Sequence, residues 1–407
     1  MFLARRCVCS GTFSKFRLTD NLVRCLENVG ITKPTEIQEK SIPLILDRKH
    51  TVINAETGSG KTLCYLLPFV EHLRNQTLHP YRSLVLVPNQ ELAHQVVSVF
   101  DSLSDSHDYK ACAVSGSNSL TLHSNVAAIV STPASLANYS WPVILKHVRY
   151  TVLDEADLLL SGSAQKLTWK ILDYLTRNDP KQFVFCGATL PAKGKMATQS
   201  LIERWLKRNN LLDNSSFVAS RGAHRLVRGL DVEFVPVSST ESKFENLLAF
   251  IREERSKIIV FTNTVATCID LYSMLVDRLT QRKLGRLDKT VSSEMRSKTL
   301  REFARGKLDV LVCTDLASRG FDIPNVETVI QYDFPENSTA FLHRAGRTAR
   351  AERKGKVISF VLSNETALAD LVESACLNGN DASTFERIFS RKRALRKRLG
   401  VKQGAAK

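Results

Sequence analysis

Short, wholly apolar runs punctuate the chain, and stretches of helical spacing lie between them. Thr51-Val52-Ile53-Asn54, Leu84-Val85-Leu86-Val87, Ala128-Ile129-Val130, Tyr150-Thr151-Val152-Leu153 and Phe183-Val184-Phe185 come first. Runs that are apolar at successive rather than alternate positions predict strands buried on both faces, as in a parallel sheet covered by helices. Over 19–29 the residues Leu22, Leu26 and Val29 share one helical face, with Thr19 or Asp20 as N-cap and Gly30 as C-cap. Lys33-Pro34-Thr35-Glu36-Ile37-Gln38 opens a second helix, with Pro34 and Thr35 in its first turn.

The pattern lapses between 211 and 230, at Asp213-Asn214-Ser215-Ser216 and Ser220-Arg221-Gly222, which reads as a connection between domains. It resumes with Ile258-Ile259-Val260-Phe261, Val310-Leu311-Val312, Val329-Ile330 and Val357-Ile358-Ser359-Phe360-Val361. The expected fold is therefore α/β: two tandem units, each a parallel sheet covered by helices. They span 13–212 and 231–376, with a connection at 213–230, a short basic stretch at 1–12 and a basic tail at 377–407. A chain of 407 residues has room for two cores of ordinary size.

Composition adds partners rather than fold. The net charge is +16, and about half of the excess sits in one place: 385–407 carries nine Lys/Arg against the single acid Glu386. Such a block favours a polyanion, most simply a nucleic-acid backbone, or serves as a targeting tail. No apolar run approaches the length of a bilayer span, so no membrane partner is expected. Nine cysteines without a C-x-x-C pair suggest neither zinc nor a disulfide framework, and a reducing compartment fits best. The start, Met1-Phe2-Leu3-Ala4-Arg5-Arg6, has no acid before Asp20, like the opening of an organellar transit peptide; the expected location is the mitochondrial matrix, with nucleus or cytoplasm as the alternative.

Chemistry enters after the first strand. Ala55-Glu56-Thr57-Gly58-Ser59-Gly60-Lys61-Thr62 lies between Thr51-Val52-Ile53-Asn54 and the apolar helix that begins at Leu63. Strand, Gly-rich loop, Lys-Thr, helix is the context of a phosphate-binding loop. Gly58 and Gly60 let successive N–H groups converge on one phosphate chain, Lys61 reaches the β/γ-phosphates, and the Thr62 hydroxyl takes a place on Mg²⁺. The strand at 150–153 ends in Asp154-Glu155-Ala156-Asp157, which puts carboxylates beside that loop. Asp154 is suited to hold Mg²⁺ through water, and Glu155 to orient or deprotonate an attacking water. The second half answers with His343-Arg344-Ala345-Gly346-Arg347-Thr348-Ala349-Arg350. Its three arginines form either a cluster against phosphates, stabilising charge that develops on the γ-phosphate, or an RNA-facing surface.

In this order the motifs resemble those of the DEAD-box family of RNA-dependent ATPases and helicases, over nearly all of residues 13–375. The resemblance implies two RecA-like domains that close on ATP and RNA, with ATP and Mg²⁺ as ligands, a single chain as the working unit, and RNA held by its backbone. It assigns Phe13, Lys33 and Gln38 to adenine, and Ala55, Glu56, Thr57, Gly58, Ser59, Gly60, Lys61 and Thr62 to the phosphates. Gly320 and Asp322 go to the nucleotide's ribose side, and Thr62 and Asp154 to the metal. Lys61, Asp154, Glu155, Arg347 and Arg350 are the catalytic set. Pro88, Glu91, Thr132, Pro133, Asn263, Thr264, Thr314 and Arg319 lie along RNA, while Asp157, Gly187, Thr189 and His343 couple the domains. A narrower similarity, to mitochondrial members that assemble the large ribosomal subunit, implies ribosomal or assembly-factor proteins as further partners.

The sequence departs from the family pattern mostly on the RNA side. Ile31 replaces an aromatic, Asn89-Gln90 a Thr-Arg, Ala134-Ser135 a Gly-Arg, Gly187 a Ser, Asp288-Lys289 a His-Gly and Ala349 a Gly. These changes remove charged phosphate contacts and a coupling hydroxyl, so ATP hydrolysis is the firmer expectation and efficient unwinding the weaker. The alternative is an ATP-gated RNA clamp or assembly scaffold with little strand separation.

Overall fold

The computed structural model describes residues 12–56, 58–74, 82–104, 109–114, 125–177, 181–191, 197–220, 229–315, 326–349 and 354–377. Their strands, in chain order, are β1 (His50–Asn54), β2 (Arg82–Leu86), β3 (Lys110–Val114), β4 (Val126–Ser131), β5 (Val148–Leu153), β6 (Gln182–Gly187), β7 (Ser215–Ala219), β8 (Leu230–Val237), β9 (Ile258–Thr262), β10 (Leu284–Leu287), β11 (Val310–Thr314), β12 (Thr328–Gln331) and β13 (Gly355–Leu362). They form two sheets, ordered β3-β4-β2-β5-β6-β1-β7 and β10-β11-β9-β12-β13-β8. Every ladder is parallel: Thr51 opposite Val184 between β1 and β6, for example, and Val310 opposite Ile258 between β11 and β9.

Each sheet buries both faces. Ile53, Val85, Val130 and Val152 point into one apolar cluster of the first domain, and their neighbours Val52, Leu84, Ile129 and Leu153 into the other. The second sheet divides in the same way, Ile259 and Val329 to one side, Ile258 and Ile330 to the other. Burial on both faces is what makes the strands read as unbroken apolar runs. The fold is thus two tandem parallel-sheet domains, each covered by helices.

The region read as a connection differs from expectation. Ser215–Ala219 is strand β7, paired along β1, and the second sheet already begins at Leu230. Its burial is patchy because it is an edge strand, and its run of serines conceals it. The helix expected over 19–29 is Asp20–Asn28. Its Thr19 makes no side-chain cap; instead the Thr19 N–H and hydroxyl donate to Glu71 of the helix Lys61–Arg74. The next helix, Glu36–Leu46, is closed by a capping box in which Thr35 and Gln38 satisfy each other's backbone N–H. Among the described residues no helix is long and apolar enough to cross a membrane.

Candidate nucleotide and nucleic-acid site

Strands β5, β6 and β1 are neighbours, and all three end at the same edge of the first sheet. Each runs into a loop that carries reactive side chains, the crevice position usual for ligands in open α/β sheets. After β1 the chain enters the phosphate loop, where Gly58 (φ 81°) and Gly60 (φ 87°) are left-handed. Gly60 also faces the Gln38 amide so closely that no Cβ fits there. The Lys61 ammonium is folded onto its own loop, donating to the carbonyls of Ala55 (2.7 Å) and Glu56 (2.8 Å). Thr35 Oγ1 donates to Ser59 O (2.8 Å) and Gln38 Nε2 to Gly60 O (3.0 Å), so the capping box of the preceding helix braces the loop from outside. Thr62 follows, partly exposed, in the first turn of the helix.

The residues assigned to adenine divide. Lys33 is exposed and Gln38 lies against the loop, but Phe13 is 1% exposed, packed edge-on to Phe16 in the core. Ile31 belongs to the same apolar cluster. Phe13 thus belongs to the first domain's apolar core. Thr57, Arg319, Gly320, Asp322 and Arg350 lie outside the described residues.

Beyond β5, Asp154 accepts from Tyr65 Oη (2.9 Å) and from the Glu155 N–H (3.0 Å). Glu155 is left-handed (φ 50°, ψ 51°), a conformation costly for a residue with a Cβ and typical of functional turns. Its Oε2 is buried and has no hydrogen-bond partner among the described residues. Burial pushes the Asp154 carboxyl up against the opposing pull of Lys61, and raises Glu155 in spite of His343. Asp157 goes the other way. Burial would raise it, but His343 and Thr189 outweigh that and bring it down to about 2. Thr189 holds Asp157 Oδ2 through both its hydroxyl (2.5 Å) and its N–H (3.1 Å). Gly187, at the end of β6, has the Leu190 side chain in the space a Cβ would occupy, 2.7 Å from it. The missing serine hydroxyl is thus replaced by a leucine that fills its place.

The second domain reaches this centre from the helix Ser338–Ala345. His343 Nε2 lies 3.4 Å from Asp157 Oδ2, and Arg347, 6% exposed, acts electrostatically on Glu155. Arg344 does not join Arg347 at this centre. Arg344 turns inward, bound to Asp315 (2.7 and 2.8 Å), Asn263 Oδ1 (2.6 Å) and the Asp333 carbonyl (2.7 Å), with its guanidinium over Phe261. A second contact between the domains pairs Arg296 with Glu91.

Of the RNA-side residues, Glu91 is consumed by that ion pair, while Pro88 just before it is half-buried. Thr132 N-caps the helix Pro133–Ala137, accepting from the Ser135 N–H. Gln90 Nε2 donates to Val114 O (2.8 Å) and to Ser135 Oγ (2.6 Å), and Ser135 Oγ meets Thr132 Oγ1 at 3.0 Å. Two departures from the family pattern are therefore bonded to each other. On the second domain Asn263 and Thr264 form an exposed turn after β9, and Thr314 is buried at the end of β11. Tyr65, Thr35, Arg296 and Arg344 were not anticipated in these roles. Only Thr35 had a sequence signal, its three-residue spacing from Gln38.

Residues 35–197 match the family model for the DEAD/DEAH box helicase, and residues 242–352 that for the helicase conserved C-terminal domain. The chain is 31% identical over 422 residues to DEAD-box ATP-dependent RNA helicase 39 of Arabidopsis thaliana, covering 96% of this chain and 65% of that one. It is 33% identical over 380 residues to the ATP-dependent rRNA helicase rrp3 of Aspergillus niger, covering 90% of this chain and 77% of the relative. Among solved structures, S. cerevisiae Dbp5 bound to RNA and ADP BeF3 superposes with a TM-score of 0.75 at 22% identity, covering 90% of this chain and 94% of that one. The DEAD-box helicase Mss116 bound to ssRNA and UDP-BeF gives 0.77 at 21%, with 97% and 89% covered. These last two likenesses concern the fold. The two family models fall in turn on the two sheets, and the phosphate loop, Asp154-Glu155-Ala156-Asp157 and His343 through Arg347 meet where those models join: the chain belongs to the DEAD-box RNA helicase family.

Proposed function

We propose that the chain is an RNA-stimulated ATPase that remodels RNA or RNA–protein complexes, hydrolysing ATP to ADP and phosphate in a cleft completed by its second domain. The observation that carries this reading is the approach of His343 and Arg347 to the first-domain carboxylates. It supports an arrangement in which closure, favoured by ATP and RNA together, assembles the reactive centre.

The side chains present fit ATP and Mg²⁺. Asp154 is a buried carboxylate already oriented by Tyr65, and Thr62 presents a hydroxyl directly after Lys61. A single carboxylate with water and phosphates is a usual way for a protein to hold Mg²⁺. Bound Mg²⁺ would neutralise charge on the β- and γ-phosphates. Lys61 exchanges the carbonyls of Ala55 and Glu56 for phosphate oxygens. Glu155 Oε2, an acceptor without a donor among the described residues, orients the water that attacks phosphorus and draws off its proton as the bond to ADP breaks. Arg347, brought by the second domain, faces the negative charge that develops.

A second reading, an ATP-gated RNA clamp with weak strand separation, is favoured by Gly187 and by the neutral Gln90–Ser135 bridge. Two assays run side by side decide between them. RNA-stimulated hydrolysis with displacement of a short duplex supports remodelling, and hydrolysis without displacement supports the clamp. If RNA does not stimulate hydrolysis at low salt, both readings fail. Ribosomal RNA is the proposed substrate, on the strength of relatives named rRNA helicases. The mitochondrial matrix is the proposed site of action, on the basic opening at Arg5 and Arg6. The tail 377–407 is proposed to add RNA affinity that falls with salt.

A further inference from the structure

Lys243 is a lysine buried in the second domain, 3% exposed near the start of the helix Thr240–Glu253. Lysines are among the side chains least often buried, and one so placed must be paired. Its ammonium lies 2.8 Å from Asp333 Oδ1 and 4.5 Å from the centre of the Tyr332 ring. The other oxygen of Asp333 accepts the backbone N–H of Asn263 at 2.9 Å, and its main-chain carbonyl accepts Arg344. Arg344 in turn donates to Asn263 Oδ1, while Asn263 Nδ2 donates to Phe334 O. Asn263 is exposed at the head of the β9 turn, yet its backbone and both ends of its amide are fixed from below. The lysine ammonium orients Asp333 through this ion pair, and Asp333 holds the turn.

From this connected set we infer that Lys243 is a positioning residue for RNA: through Asp333 it fixes the exposed Asn263–Thr264 turn in the conformation that engages the RNA backbone. Lys243 touches no ligand itself. The inference rests on the RNA-binding reading above and deepens it, naming a buried determinant of affinity in the second domain.

The test measures single-stranded RNA binding by the full chain with a non-hydrolysable ATP analogue, as a function of salt. Lys243→Met is expected to weaken RNA binding about tenfold, within the range found for contacting residues of one network. ATP affinity without RNA stays within about twofold. A residue that contacts phosphate lowers the salt slope when removed, whereas one acting through geometry leaves it unchanged. An unchanged slope is therefore expected, together with no further loss when Lys243→Met is added to Asn263→Ala, and recovery of most affinity in Lys243→Arg. Should Lys243→Met fail to fold, Asp333→Asn removes the same anchor with less change of volume and is expected to give the same pattern. Full RNA affinity in a folded variant overturns the inference; so does a reduced salt slope, or a loss that repeats in full on the Asn263→Ala background. Absence of RNA binding by the unaltered protein would instead overturn the RNA-binding reading, so the two failures are distinguishable.

Discussion

Restoring charge to the first domain's RNA side, by Gln90→Arg together with Ser135→Arg, tests whether these loops face phosphates at all. In the structure Gln90 and Ser135 bond to each other, and Gln90 also reaches the end of β3 at Val114. The double change breaks both Gln90 bonds, at roughly 1 kcal/mol each, so about 2 kcal/mol of first-domain stability is expected to go. What is gained is electrostatic. Each arginine that reaches a phosphate of single-stranded RNA steepens the dependence of log K on log salt by about 0.7, so the pair should steepen it by roughly 1.4. Between 50 and 200 mM salt that difference makes the advantage of the variant shrink by roughly sevenfold. Fluorescence anisotropy of labelled single-stranded RNA, titrated at several salt concentrations with an ATP analogue, reads the slope directly. A thermal melt in the same buffers reads the stability cost. An unaltered slope in a folded double variant would refute the reasoning, because it would mean that neither loop comes near the backbone.

Four further outcomes follow from individual contacts. Glu155→Gln is expected to retain ATP affinity and lose turnover by two or more powers of ten, since its Oε2 no longer draws a proton; near-normal steady-state ATPase would remove Glu155 from that role. Gly187→Ser forces a side chain against Leu190 and is expected to destabilise the first domain by about 1–3 kcal/mol, with Leu190→Ala relieving the clash; a melt in which the single variant loses nothing disproves the steric account. Ala349 is left-handed (φ 56°), so Ala349→Gly should stabilise the second domain by about 1 kcal/mol in denaturant titration, and a loss of that size would contradict it. His50, whose Nδ1 accepts the Phe183 N–H, is held neutral with its pKa lowered by burial to about 4. The unfolded chain takes up a proton below pH 6.5 and the native one does not, so His50 contributes stability above 6.5 that is lost as pH falls towards 4, at most about 3 kcal/mol. His50→Asn, which keeps an acceptor without the titration, should flatten the melting temperature across that window, and an identical pH slope would exclude His50 as the cause.

Among the described residues, the apolar runs of the sequence located all nine interior strands and none of the four edge strands. β3 and β7 close the first sheet, β10 and β8 the second. Lys110–Val114 has only its last residue buried, and Leu230–Val237 is half-buried or exposed at every position before Val237. An edge strand with one open flank needs no unbroken hydrophobic run, and so leaves none in the sequence. The site divides along a similar line. Loops whose chemistry is local, such as the phosphate loop and the carboxylates after β5, are legible because strand, turn and reactive residue are consecutive. Tyr65 on Asp154, Arg296 on Glu91 and Lys243 on Asp333 are meetings of residues 89, 205 and 90 positions apart. No local pattern encodes such a pair.

The departures from the family pattern acquire a common physical sense from their neighbours. Gln90 is matched by Ser135, which receives its amide; Gly187 is matched by Leu190, which fills the vacated space. Ala349 keeps the left-handed backbone a glycine would take, and it can do so because Gly355 beside it has no Cβ, where one would come within 2.6 Å of the Ala349 nitrogen. Asp288 is fully buried, and it pairs with Arg286 at 2.9 Å and accepts the Thr290 N–H at 2.7 Å. Each of these four substitutions thus has a local partner that absorbs most of its steric or polar consequence, so on the proposed reading its main cost falls on RNA contact and coupling, with Ala349 alone keeping a backbone cost. None of these adjustments touches the contacts of Lys61, of Asp154 with Tyr65, or of Asp157 with Thr189. A protein built this way is expected to keep its nucleotide chemistry while gripping RNA less ionically in the first domain. That shifts the burden of RNA affinity to the second domain, where the Asn263 turn is held from within by Asp333 and Lys243.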